Sequence, residues 1–115
     1  MIHHMSLAPV PFELLRSGKM TVETRLYDDK RKNVAVGDHI FFSKLPDKKE
    51  QVETEVIRLE RFDTFRDLFK TYDKYKLGHP ENLTTGQRIQ RMRAFYTQED
   101  EKKFGVLAIE LKLIK

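Results

Sequence analysis

The segment Gln51–Phe62, "QVETEVIRLERF", is long, β-like and out of phase with itself. Val52, Thr54 and Val56 share one face, whereas Ile57 and Leu59 fall on the other. Side chains on a strand alternate with a period of two, so a regular strand cannot send both sets into one core. One extra residue near Val56–Ile57 restores the phase, and a strand bulged in this way bends. Small barrels turn their corners with such bends. The segment therefore predicts a curled sheet, not a flat one.

The rest of the chain supplies the remaining parts. Pro11 suits a helical first turn, Phe12 and Leu15 recur at helical spacing, and Gly18 can take the left-handed closing position, which predicts a two-turn helix from Pro9. Met20, Val22 and Leu26 then alternate with Lys19, Thr21, Glu23 and Arg25, the pattern of a strand with one buried face. A charged turn leads through Gly37-Asp38 to a strand "HIFFSKL", and a polar turn with Pro46 leads into Gln51. "TFRDLFKTY" reads as a helix capped by Thr64, with Phe65, Leu68, Phe69 and Tyr72 as its apolar stripe. After a loop from Lys74 to Asn82, a second capped helix runs from Thr84 or Thr85 to Tyr96. Its spacing turns Ile89, Met92 and Phe95 inward and Arg88 and Arg91 outward. Thr97 with Asp100 predicts one more short turn, and "FGVLAIELKLI" closes the chain as a strand. Residues 1–6 form an N-terminal tail or a first strand, with His3-His4 open to being a tag remnant. Strands interrupted by short helices indicate an α+β domain: a small, partly closed β-barrel decorated by short α-helices.

With 115 residues there is material for one domain and one core. No apolar run approaches the roughly 18 residues of a membrane span. Without cysteine there is no disulfide or thiolate chemistry, which suits a cytoplasmic location. The 22 cations outnumber the 18 anions only slightly, enough to attract phosphate but far from a dedicated DNA coater.

"GKMTVETR", from Gly18 to Arg25, resembles the signature G-x-K-x-x-E-x-R of the ASCH domain family, a branch of the PUA-like β-barrels. "VGDHIFF", "TFRDLF" and "RAFYTQEDEKKFGVLAIEL" resemble the same family in the same order, so the resemblance covers roughly Leu7 to Leu113 and implies an ASCH domain over residues 7–115. It implies a PUA-like barrel with RNA or a modified nucleoside as ligand. Some small members are amidohydrolases acting on acylated cytidine, and others have been described as ribonucleases. The amidohydrolases' catalytic lysine and threonine positions are Met20 and Glu23 here, while "ENLTTGQRIQRMRAFY" places their glutamate at Glu81. A thioether cannot ionise or move a proton. A hydrolase reading, on acylated nucleosides or on RNA, must therefore rest on Glu81 with the neighbouring Lys19.

The residues themselves offer further candidates. Glu23 and Arg25 lie two apart on one strand face and can meet. They are either an exposed ion pair or a grip on a phosphate or base edge. Tyr75, beside Lys74 and Lys76, offers a stacking surface. Arg88 and Arg91, within one helical turn, are placed to clamp phosphates if they are not simply a solvated face. Expected ligand contacts are thus Lys19, Glu23, Arg25, Tyr75, Arg88 and Arg91. No metal-ligand spacing occurs and no cofactor is implied, although a loosely held divalent ion at Glu23 and Glu81 is compatible with the pattern.

Overall fold

The computed structural model describes residues 1–80 and 82–114. Five strands form one mixed sheet in the order β1-β3-β4-β5-β2. They are β1 (Ile2–Leu7), β2 (Val22–Leu26), β3 (His39–Lys44), β4 (Gln51–Phe62) and β5 (Val106–Leu113). β1 runs parallel to β3, and the other pairings are antiparallel. Helix α1 (Pro9–Arg16) follows β1, while α2 (Phe65–Thr71), α3 (Thr85–Met92) and α4 (Gln98–Phe104) occupy the chain between β4 and β5. The result is a half-barrel with helices on it, the α+β architecture expected.

The phase break in β4 is a bulge. Val56 pairs with Leu111 and Arg58 with Glu110, leaving Ile57 as the extra residue. Val56 is fully buried and Leu59, now opposite Ile109, packs against the same core. Ile57 itself is 45% exposed, so the bulge turns one of the two out-of-phase residues inward and leaves the other in solvent.

The sheet separates two apolar clusters. On the inner face, Met5, Leu7, Ile40, Phe42, Val56, Leu107, Ile109 and Leu111 pack with Phe12 and Leu15 of α1. On the outer face, Val22, Leu26, Val106 and Ala108 pack with Phe65, Leu68 and Phe69 of α2, with Ile89 and Met92 of α3 against them. β2 and β5 are therefore covered on both sides. That corrects the expectation of one buried face on β2: on the face opposite Val22, Thr24 and Leu26, Glu23 is buried and the Arg25 side chain nearly so.

Each outer helix starts on a threonine. Thr64, Thr84 and Thr97 accept from the backbone N–H three residues on, at 3.1, 3.1 and 3.0 Å. Buried Glu101 of α4 then ties the layer together. Its carboxylate accepts from the Phe65 N–H, the first of α2, at 2.7 Å and from Arg93 Nη2 at 2.6 Å.

Helix α3 departs from its expected facing. Ile89 and Met92 point inward, but the helix ends at Met92 and Phe95 is 75% exposed. Arg88, expected in solvent, is only 6% exposed. Its guanidinium lies over the Phe69 ring, 4.6 Å from the centroid, and its Nε donates to His79 Nδ1 at 2.8 Å. The aromatic face and the neutral imidazole offset part of the cost of burying this cation, but Nη2 has no hydrogen-bond partner among the described residues, and periodicity cannot foresee the arrangement. Burial first, then the charges of Arg88 and Arg91, push the His79 pKa down to about 4.

Two outcomes follow for stability. Glu101→Ala strips the first N–H of α2 and Arg93 of their shared acceptor and should cost about 3 kcal/mol in denaturant unfolding; a loss under ~0.5 kcal/mol would mean the carboxylate does not pin the layer. For His79, folded and unfolded forms are both neutral above its ordinary value of 6.5. As pH falls from there towards 4, only the unfolded chain takes up the proton, so this site's contribution to stability declines across that window. An NMR titration of the ring should show a midpoint near 4, not 6.5.

Candidate functional site

The two edges of the half-barrel, β1 and β2, are joined by a side chain. Arg25 of β2 donates from Nη2 to the Ser6 carbonyl of β1 at 2.9 Å. The same guanidinium grips Glu23, with Nε and Nη2 on Oε2 at 3.0 and 2.7 Å. Glu23 Oε1 in turn accepts the backbone N–H of Thr24 at 3.1 Å. The pair faces the inner side of the sheet, on the same side as Leu107 and Ile109. The Arg25 and Glu23 side chains are 14% and 9% exposed. They form a buried, hydrogen-bonded unit, not the exposed ion pair that was the alternative. Burial works against the Arg25 charge, but Glu23 beside it more than compensates and raises the pKa further.

Two more side chains lie near this unit, one of them with its own carboxylate partner. The Tyr96 hydroxyl lies close enough to Arg25 and Glu23 for both charges to act on it, and burial raises its pKa above the usual phenol value. Arg31, in a short 3-10 turn after β2, donates from Nη1 to Asp28 at 3.1 Å. Its Nε is buried with no hydrogen-bond partner among the described residues. Two guanidiniums, each paired with a carboxylate, and a phenol thus gather near the seam between β1 and β2. Strand periodicity finds only Glu23 and Arg25. The signals for the others are the "RAFY" pair at a helix end and the Arg31 inside a charged turn that reads as mere surface.

The other candidates lie elsewhere. Lys19 is exposed on the turn after α1, where its N–H and that of Met20 both donate to the Leu14 carbonyl at 3.0 Å. β2 begins only at Val22, so Lys19 does not extend the Glu23–Arg25 face. Met20 is buried beneath Gly78, where a β-carbon would stand 3.0 Å from its sulfur. Gly78, at φ +74°, lets its loop lie on the start of β2, and the Lys76 carbonyl fixes it there by accepting from Thr21 and Val22 at 2.9 Å each. Tyr75 is half exposed on that loop with the Lys74 ammonium over its ring. Arg91 is exposed, whereas Arg88 is buried with His79 on the outer side of β2. Arg88 thus cannot clamp a phosphate together with Arg91 from a solvated face. Glu81 lies outside the described residues.

Within the seam the two charged partners are already engaged with one another. Three donors already converge on Glu23, so it serves to orient Arg25. Arg25 Nη1 makes no hydrogen bond among the described residues, and two further N–H groups in a fixed plane suit a phosphate or the acceptor edge of a base. Among the described residues no group of three or more His, Asp or Glu is placed to hold a metal ion. No helix there is long and apolar enough to cross a membrane.

Comparison with known proteins places this geometry. The ASCH domain family model matches residues 5–115. The crystal structure of hypothetical protein PH0355 is 31% identical with a TM-score of 0.87, covering 99% of this chain and 100% of that one. The solution structure of protein PF0455 from Pyrococcus furiosus is also 31% identical, with a TM-score of 0.72 and coverage of 100% and 99%. An ASCH domain from Lactobacillus crispatus shares the fold at 13% identity, with a TM-score of 0.65 over 96% of this chain and 79% of that one. None of the curated proteins matches the sequence. By the extent of the family match and the fold it shares with solved ASCH domains, this chain belongs to the ASCH domain family.

Proposed function

We propose that the chain binds single-stranded RNA or a modified nucleoside at the seam between β1 and β2. The observation that carries the reading is the Arg25 guanidinium, locked by Glu23 and the Ser6 carbonyl with a donor edge left over. A guanidinium fixed in this way loses little freedom on binding, and planar donors match phosphate and base-edge acceptors. Tyr96 and Arg31 add a hydroxyl donor and a second cation beside it. The PUA-like barrel resemblance, with its RNA-type ligands, points the same way.

The reading does not extend to hydrolysis. Met20 fills the catalytic lysine's position with a buried thioether, Lys19 stands in solvent, and Glu23 is engaged by three donors.

Fluorescence anisotropy with labelled single-stranded RNA, with free nucleosides as competitors at low salt, tests the proposal. Arg25→Ala would strand the Glu23 carboxylate, so Arg25→Lys is the cleaner change: it keeps the charge and loses the planar fork. Binding should weaken about tenfold or more. Equal affinity for the two proteins, or no binding by either, would remove Arg25 from the site. Few phosphate contacts also imply a shallow salt dependence, with log K falling by about 0.7 per tenfold rise in salt for each phosphate engaged.

A further inference from the structure

Phe95 is 75% exposed, although the helix ahead of it has spacing that would bury it. A single exposed apolar side chain is ordinary on a protein surface. Phe95 differs in how it is held and where it stands. Its N–H and that of Tyr96 both donate to the Met92 carbonyl, at 3.0 and 2.8 Å, which fixes the turn after α3. Its ring is also the outer end of a row of rings running into the core. Phe95 lies 6.4 Å from Tyr96, Tyr96 stacks on Phe65 at 5.7 Å, and Phe65 stacks on Phe69 at 6.0 Å. The link next to Phe95 is Tyr96, the same residue whose phenol senses Arg25 and Glu23. Exposed Arg91 follows on the helix behind, with its carbonyl accepting from Ala94 at 3.2 Å.

We infer that Phe95 is the stacking platform for an unpaired nucleobase of the ligand held at the Arg25 seam, and that it selects single-stranded RNA over duplex. The inference rests on the ligand reading above and adds a residue and a preference that reading does not contain. A base within a duplex has both faces covered by its neighbours, so an aromatic face on the protein has nothing to receive. An unpaired base offers its π-face whatever its identity. A two-torsion ring on a backbone fixed by the Met92 turn has less freedom to lose when the base arrives than a long flexible side chain would. The cations at Arg25, Arg31 and Arg91 suit the phosphates on either side of such a base.

The chain contains no tryptophan, so Phe95→Trp creates a single reporter at the platform. A labelled single-stranded RNA of mixed sequence, about ten nucleotides long to fill one binding groove, and the same RNA annealed to its complement, are titrated into wild type, Phe95→Ala, Phe95→Trp and Arg25→Lys. The exposed position lets Phe95→Ala keep the wild-type fold, which circular dichroism checks. Wild type should prefer the single strand. Phe95→Ala should lose roughly 5- to 100-fold on the single strand and most of that preference. Phe95→Trp should keep binding, with its fluorescence quenched by the RNA. If wild type and Arg25→Lys differ, but Phe95→Ala binds like wild type and the indole emission of Phe95→Trp is unmoved, the platform is refuted and the seam survives. If wild type binds neither RNA, the ligand reading fails, and the platform with it.

Discussion

A half-barrel of five strands leaves two open edges, and here one guanidinium spans them. Arg25 reaches from β2 to the Ser6 carbonyl of β1 while Glu23 holds it in plane. An unpaired strand edge normally exposes a row of backbone groups. On β2 that row is dealt with piecewise. Lys76 accepts the first outward N–H, that of Val22, and Glu23 accepts that of Thr24. An ion pair this deeply buried is not cheap, because taking both charges out of water costs most of what their attraction returns. What it adds is the hydrogen bond from β2 to the Ser6 carbonyl of β1, which an apolar pair could not make.

The outer layer explains why this edge can stay partly open. β2 carries Val22 and Leu26 against α2 and Leu77, so the strand is held from the side opposite the seam. Glu101 pins α2 and Arg93 to α4, and Arg88 lies on Phe69 and donates to His79, whose ring itself meets Phe69 edge-on at 4.9 Å. Arginines in this layer are therefore structural cations on aromatic faces as often as they are surface charges. The same packing carries the row of rings outward to Tyr96 and Phe95. Core and candidate site share one set of contacts.

Much of this was legible in the residues. The bulge in β4 follows from Val56 and Ile57 standing side by side, and the helix starts follow from Thr64, Thr84 and Thr97. The family is legible in "GKMTVETR" with its companion segments. The pairing of Glu23 with Arg25 was legible too, but its burial was not, since period-two reading assigns polar residues to solvent by default. Helical spacing misplaces Arg88 for the related reason that a guanidinium can stack as an aromatic does. It misplaces Phe95 because the stripe of Ile89 and Met92 gives no sign that α3 ends at Met92. Long-range neighbours such as Ser6 and Tyr96 are invisible to any local pattern, because only the curl of the sheet brings Ser6 to Arg25 and only the packing of the turn after α3 on α2 brings Tyr96.

The central claim is that the Arg25 guanidinium is fixed at the seam and presents its remaining donor edge to a ligand. The most direct measurement follows the Arg25 Nε–H signal by ¹⁵N NMR while a single-stranded RNA is titrated in. The account predicts a sharp signal, slow to exchange with water in the free protein, that shifts in step with binding. A signal broadened by exchange before ligand is added, or one that stays still while the RNA binds, would contradict it.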